Sequence, residues 1–135
     1  MTDSRSPRDW ILEGYDVHVV YTDAERETAH ALYRRFIAYL DAEEIPYVRP
    51  IIFDEPVGPW PTGMWQVLLK NQDLAAVEHD LGRCVAWMML NRGDLSVMIH
   101  PNTLRDGDFG GGHADHSRHM LWMGPPQVLR LQIFS

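Results

Sequence analysis

Five runs rich in β-branched and aromatic residues, interleaved with two stretches of helical periodicity, follow one another as β-α-β-β-α-β with one strand more. That order predicts an α+β fold, a ferredoxin-like (βαββαβ) sandwich with an additional C-terminal strand. The chain of 135 residues is long enough for one hydrophobic core and too short for two. A polar tail over residues 1–12 and a single domain over 13–135 are expected.

YDVHVVY, Tyr15–Tyr21, reads as the first strand. Period two sets Asp16, His18 and Val20 on one face and Tyr15, Val17, Val19 and Tyr21 on the other. Thr22 or Asp23 then caps a helix with Glu25 and Glu27 in its acidic first turn. Its apolar stripe runs through Ala29, Leu32, Tyr33, Phe36 and Leu40. Pro46 ends that register, and Tyr47–Phe53 reads as a second strand in which Pro50 marks an edge or a bulge. DEPVGPWPTG is a loop stiffened by three prolines. MWQVLLK follows as the third strand. Asp73 opens a second helix running to about Leu90, with Leu81, Cys84, Val85 and Met88 on its apolar side and Asn91-Arg92-Gly93 at its end. Leu95–Pro101 is the fourth strand, and Val128–Phe134 is expected as the fifth. Both helices fall on one face of the sheet, so the other face needs a second subunit or the chain's own C-terminal segment as cover.

A formal charge of −7 and a pI near 5.4, with no run of Lys or Arg, argue against nucleic acid or an acidic membrane as partner. No apolar leader or membrane-spanning run is visible, so a cytoplasmic location is expected. The single cysteine, Cys84, has no internal disulfide partner and sits in the apolar context of a buried structural thiol.

Histidine is the conspicuous residue. Four of the seven lie between His100 and His119, and HADHSRH spaces His113, His116 and His119 by three. On a helix or a strand, one or two of these can join a partner such as His100 delivered by a separate strand. The competing reading is a solvated polar loop, since Gly110, Gly111 and Gly112 precede the cluster. His30 and His79, among charged neighbours on the helices, read as solvated, and His113 as loop.

YDVHVVY, VGPWP, NRGDLSVMIHPNT and DHSRHMLWMG together resemble the motifs of the DOPA 4,5-dioxygenase family of fungi and bacteria, in the same order and from about Tyr15 to Gly124. The resemblance implies a ferredoxin-like domain with histidine-bound non-haem iron(II), which opens catechol rings with dioxygen. It implies His18, His100 and His116 as metal ligands, with Asp16 or Asp115 as carboxylate alternatives. His119, His116 and Asp16 become the candidate acid/base groups. Zinc or nickel could occupy the same imidazoles after purification. Arg49 and Arg92 are candidates to receive a substrate carboxylate, and Trp60, Trp65 and Trp122 to stack on an aromatic substrate. A small aromatic substrate, dioxygen and a second copy of the chain are the implied partners.

At two positions the chain departs from the family pattern, which often carries histidine where Asp16 and Trp60 stand here. An indole nitrogen only donates a hydrogen bond, so Trp60 is no ligand. A catalytically impaired member that binds small aromatics is therefore the alternative reading, and a metal-free isomerase using His18 and His116 is a third.

Overall fold

The computed structural model describes residues 11–103 and 112–134. Strand β1 (Ile11–Tyr21) leads through a 3-10 turn (Asp23–Glu25) into helix α1 (Arg26–Ala42). Strands β2 (Tyr47–Phe53) and β3 (Gly63–Leu69) precede helix α2 (Leu74–Asn91), strand β4 (Ser96–Thr103), a short β5 (Leu121–Met123) and a final 3-10 turn (Leu131–Phe134). The sheet is antiparallel throughout, in the order β2-β3-β1-β4-β5. The first four of these are the ferredoxin-like order, and β5 extends the sheet beside β4. β1 starts within the stretch expected as tail, and residues 1–10 lie outside the described ones.

Local chemistry explains the boundaries. The backbone N–H and hydroxyl of Thr22 both reach the Glu25 carboxylate, at 3.0 and 3.1 Å, which starts the helical region. Asp73 accepts from the Ala75 and Ala76 amides at the head of α2. Arg92 and Gly93 (φ 60°) end α2 as expected. β2 lies on the edge, with its register broken between Val48 and Ile51 around Pro50.

Alternation along the strands sorts the residues into two cores. On one face Val17, Val19 and Tyr21 of β1, Trp65, Val67 and Leu69 of β3, and Val97 and Ile99 of β4 meet both helices. Ala29, Leu32, Phe36 and Leu40 come from α1, and Val77, Cys84 and Met88 from α2. Trp65 fits there because its indole N–H donates to the Ala29 carbonyl at 2.9 Å. On the opposite face Val20, Met64, Met98 and Trp60 form a smaller cluster joined by Phe53, Met120, Trp122 and Leu129. The cover on that face therefore comes from the proline-rich loop and from the segment after β5.

Two expectations need correction. The fifth strand is Leu121–Met123, not Val128–Phe134. Beyond Gly124 (φ 76°) and two prolines, the alternating apolar run forms no ladder: Arg130 donates to a loop carbonyl, and Leu131–Phe134 winds into a 3-10 turn. His30 is half-buried and partnered rather than simply solvated: its Nε2 lies 2.8 Å from the Asp54 carboxylate, which also accepts from the Tyr21 hydroxyl. Burial, with that hydrogen bond, pushes the Tyr21 phenol up, while the hydrogen bonds from His30 and Tyr21 hold Asp54 below the usual carboxylate range. His79 is exposed, as expected.

Candidate metal centre

The site lies on the face of the sheet away from the helices. His18 sits mid-β1 and faces that side by the strict alternation that sends Val17 and Val19 into the helical core. β4 runs beside β1 with Asp16 opposite His100 and His18 opposite Met98, so His100 arrives one diagonal step from His18. His116 comes from a turn that follows the long connection after β4. Asp115, its neighbour, anchors that turn by accepting from the backbone N–H and hydroxyl of Thr103, both at 2.9 Å.

One donor nitrogen from each of His18, His100 and His116 lies within 4.8 Å of the others, and all three residues are buried. The Nε2 atoms of His18 and His100 are 3.0 Å apart. The His100 ring centroid lies 4.2 Å from that of His116 and 5.0 Å from that of His18.

Hydrogen bonding fixes the tautomers. A carbonyl only accepts, so the contacts from His100 Nδ1 to the Pro101 oxygen (2.8 Å) and from His116 Nδ1 to the Gly112 oxygen (3.0 Å) place an N–H at each Nδ1. Both rings thus turn a bare Nε2 lone pair inward. Burial lowers all three pKa values: His18 well below the usual range, further depressed by its two neighbours, His100 also, and His116 to about 4. The trio is neutral at pH 7, the form that binds metals. Two Nε2 atoms 3.0 Å apart share at most one proton, and His18 Nδ1 is buried without a hydrogen-bond partner. The donor set fits a divalent ion taking the lone pairs that the imidazoles cannot satisfy among themselves.

Asp16 borders the trio. Its Oδ2 accepts from Asn102 Nδ2 at 2.9 Å and lies 3.7 Å from His100 Nε2, while Oδ1 is buried without a partner. Burial raises its pKa, and the hydrogen bond from Asn102 and the charge of Arg49 act against that rise. Arg49 stands on the edge strand at φ 55°, exposed, with its guanidinium 3.4 Å from Glu13. His119 stays outside the trio, its Nδ1 2.8 Å from Asp115 Oδ1. Trp60 is 3% exposed and lies against His18, with ring centroids 4.2 Å apart. Phe134 stacks on His116 at 4.8 Å.

Other candidates lie elsewhere. Arg92 spends its guanidinium on the Gly93 and Leu95 carbonyls before β4 begins. That is at least four residues from His100, roughly 13 Å of strand. Trp65 belongs to the helical core, and Trp122 turns its N–H to the Met120 sulfur. Gly110 and Gly111, and with them most of the glycine run, lie outside the described residues, while His113 is in an exposed turn. Sequence reasoning missed Asn102, Arg130 and Phe134; only Asn102 carried a signal, through its place in the NRGDLSVMIHPNT motif.

A small ferredoxin-like protein with a buried three-imidazole cup on its open sheet face is the class that fold and site define. The chain belongs to the Dopa 4,5-dioxygenase family, whose sequence model matches residues 15–133. It is 31% identical over 125 residues, 91% of this chain, to an uncharacterized 21.2 kDa protein of Botryotinia fuckeliana. Over 77 residues, 57% of this chain, it is 29% identical to a DOPA 4,5-dioxygenase of Amanita muscaria. It spans 64% and 28% of the lengths of these two relatives. The crystal structure of a Nostoc punctiforme protein titled a "putative dioxygenase" matches with a TM-score of 0.69 at 28% identity, covering 96% of both chains. No helix among the described residues is long and apolar enough to cross a membrane.

Proposed function

We propose that this protein is a non-haem iron(II)-dependent extradiol dioxygenase that opens the ring of a small catechol. The observation that carries the reading is the convergence of three neutral imidazoles, His18, His100 and His116, on one buried point. These three would hold the iron. When bound, it supplies a centre at which a catechol and dioxygen react side by side.

The remaining roles belong to the chain itself. Asp16 is the base toward a catechol hydroxyl: one oxygen is held by Asn102 and the other is buried with no partner, able to take a proton. His119, oriented by Asp115, is the second acid/base group. Trp60 offers a flat apolar wall beside His18, and the two keep bulk water from that side. Arg49, whose charge is felt at Asp16, is the cation best placed to receive a carboxylate on the substrate.

Trp60 also favours the second reading, a binding module for small aromatics, because its indole packs directly on a ligand-candidate ring. Oxygen uptake by the iron-loaded protein against a panel of catechols, with and without a carboxylate, separates the two. Uptake matched by a yellow ring-opened product supports the dioxygenase. Stoichiometric catechol binding with no oxygen consumed supports the module. Arg49→Ala is expected to raise KM for carboxylated catechols roughly tenfold and to leave simple catechols unchanged.

A further inference from the structure

The loop that carries Trp60 is poor in hydrogen-bond donors. Pro56, Pro59 and Pro61 have no N–H, yet each residue of the loop keeps its carbonyl. Pro59 and Trp60 are both buried, so their carbonyls need donors from elsewhere. Within the loop, the Trp60 N–H already donates to the Val57 carbonyl at 3.1 Å. Both outside donors come from one residue far along the chain. The Arg130 backbone N–H donates to the Pro59 oxygen at 2.8 Å, and its Nη2 donates to the Trp60 oxygen, also at 2.8 Å.

Arg130 therefore joins the two aromatic ends of the site. Ring contacts run in sequence from Trp60 to His18, His100, His116 and Phe134. Trp60 sits in the proline loop, and Phe134 closes the 3-10 turn that begins one residue after Arg130. Leu129, on the other side of Arg130, packs into the cluster that holds Trp60.

We infer that Arg130 is a positioning residue of this site: by bonding the consecutive Pro59 and Trp60 carbonyls it sets the indole of Trp60 against His18, while its own segment lays Phe134 on His116. A free indole would sample other rotamers and no longer present one face to a planar ring. The guanidinium contributes a charge-assisted bond of the stronger kind, so its loss is felt even though the backbone bond to Pro59 persists.

The test uses the full chain, first without metal. The near-ultraviolet circular dichroism of Trp60 is the wild-type spectrum minus that of Trp60→Phe. Arg130→Ala is expected to lose more than half of that signal with an unchanged far-ultraviolet spectrum. Arg130→Lys, which keeps one donor for the Trp60 carbonyl, should retain most of it. Should alanine fail to fold, Arg130→Met preserves the aliphatic stem without the donors and is read in the same way. A wild-type Trp60 signal in the folded alanine or methionine variant overturns the assignment.

A kinetic consequence rests on the dioxygenase reading. In the iron-loaded enzyme, Arg130→Ala should raise KM for a catechol roughly tenfold and change kcat by less than about threefold. If the wild type shows no turnover, that reading fails, and the dichroism still decides the role of Arg130.

Discussion

His116 shows how burial, helped by the neighbouring His100, prepares a ligand. Its pKa near 4, against an ordinary value of 6.5, means the folded protein leaves this ring neutral where the unfolded chain protonates it. Between those two values the unfolded state binds the extra proton, so stability falls as pH is lowered through the window and is fully present above 6.5. From pH 7 to pH 5 the loss from His116 alone is about 2 kcal/mol. The raised pKa of Asp16 acts in the opposite sense, adding stability as pH falls toward 3.8. Urea denaturation of the metal-free protein should show this loss of stability, and His116→Asn should flatten it. His18, His100 and His116 were legible through the family resemblance, whose YDVHVVY, NRGDLSVMIHPNT and DHSRHMLWMG motifs carry them. Phe134 was not: nothing near it in sequence indicates that its ring ends on His116, a contact made only through the tertiary path of the last segment.

The β1 bulge shows the same division among the elements. The register between β1 and β4 shifts between Ile11 and Gly14, just before Asp16 and His18. Gly14 has φ 139°, and a Cβ there would collide with the Leu69 carbonyl on β3. Gly14→Ala should cost about 3 kcal/mol, read by thermal unfolding, and should weaken metal binding by shifting the strand that carries His18. The helices were readable because each buries one face, so its apolar period is imposed by packing, and β3 and β4, buried on both faces, were readable as near-continuous apolar runs. β5 and the last segment misled for the converse reason. Three residues beside β4 are too few to show a period, whereas Val128–Phe134 alternates while lying across the open face with its backbone bonded to a loop.

Taken as a whole, the molecule divides its labour between the two sides of one sheet. The helical side holds the main core and fixes β1 and β4 in register. The other side uses that rigid platform to present His18 and His100, then closes over them with a loop, a turn and a strap from three distant parts of the chain. The fold class follows from local pattern, and the metal-ligand candidates from the family resemblance of the motifs that carry them. The closure, with Trp60 inward, Arg49 near Asp16 and Arg92 spent elsewhere, depends on long-range contacts that no local pattern encodes. Trp60→His adds an imidazole beside His18 and should tighten metal binding, measured by competition with a chelator; unchanged affinity would show that the side chain at position 60 stays clear of the metal.

The most direct test is anaerobic iron(II) titration of the metal-stripped protein, followed by calorimetry and by iron counted per chain. The account predicts one equivalent, lost in His100→Ala and kept in His79→Ala. Absence of binding in the wild type, or full binding in His100→Ala, would contradict it.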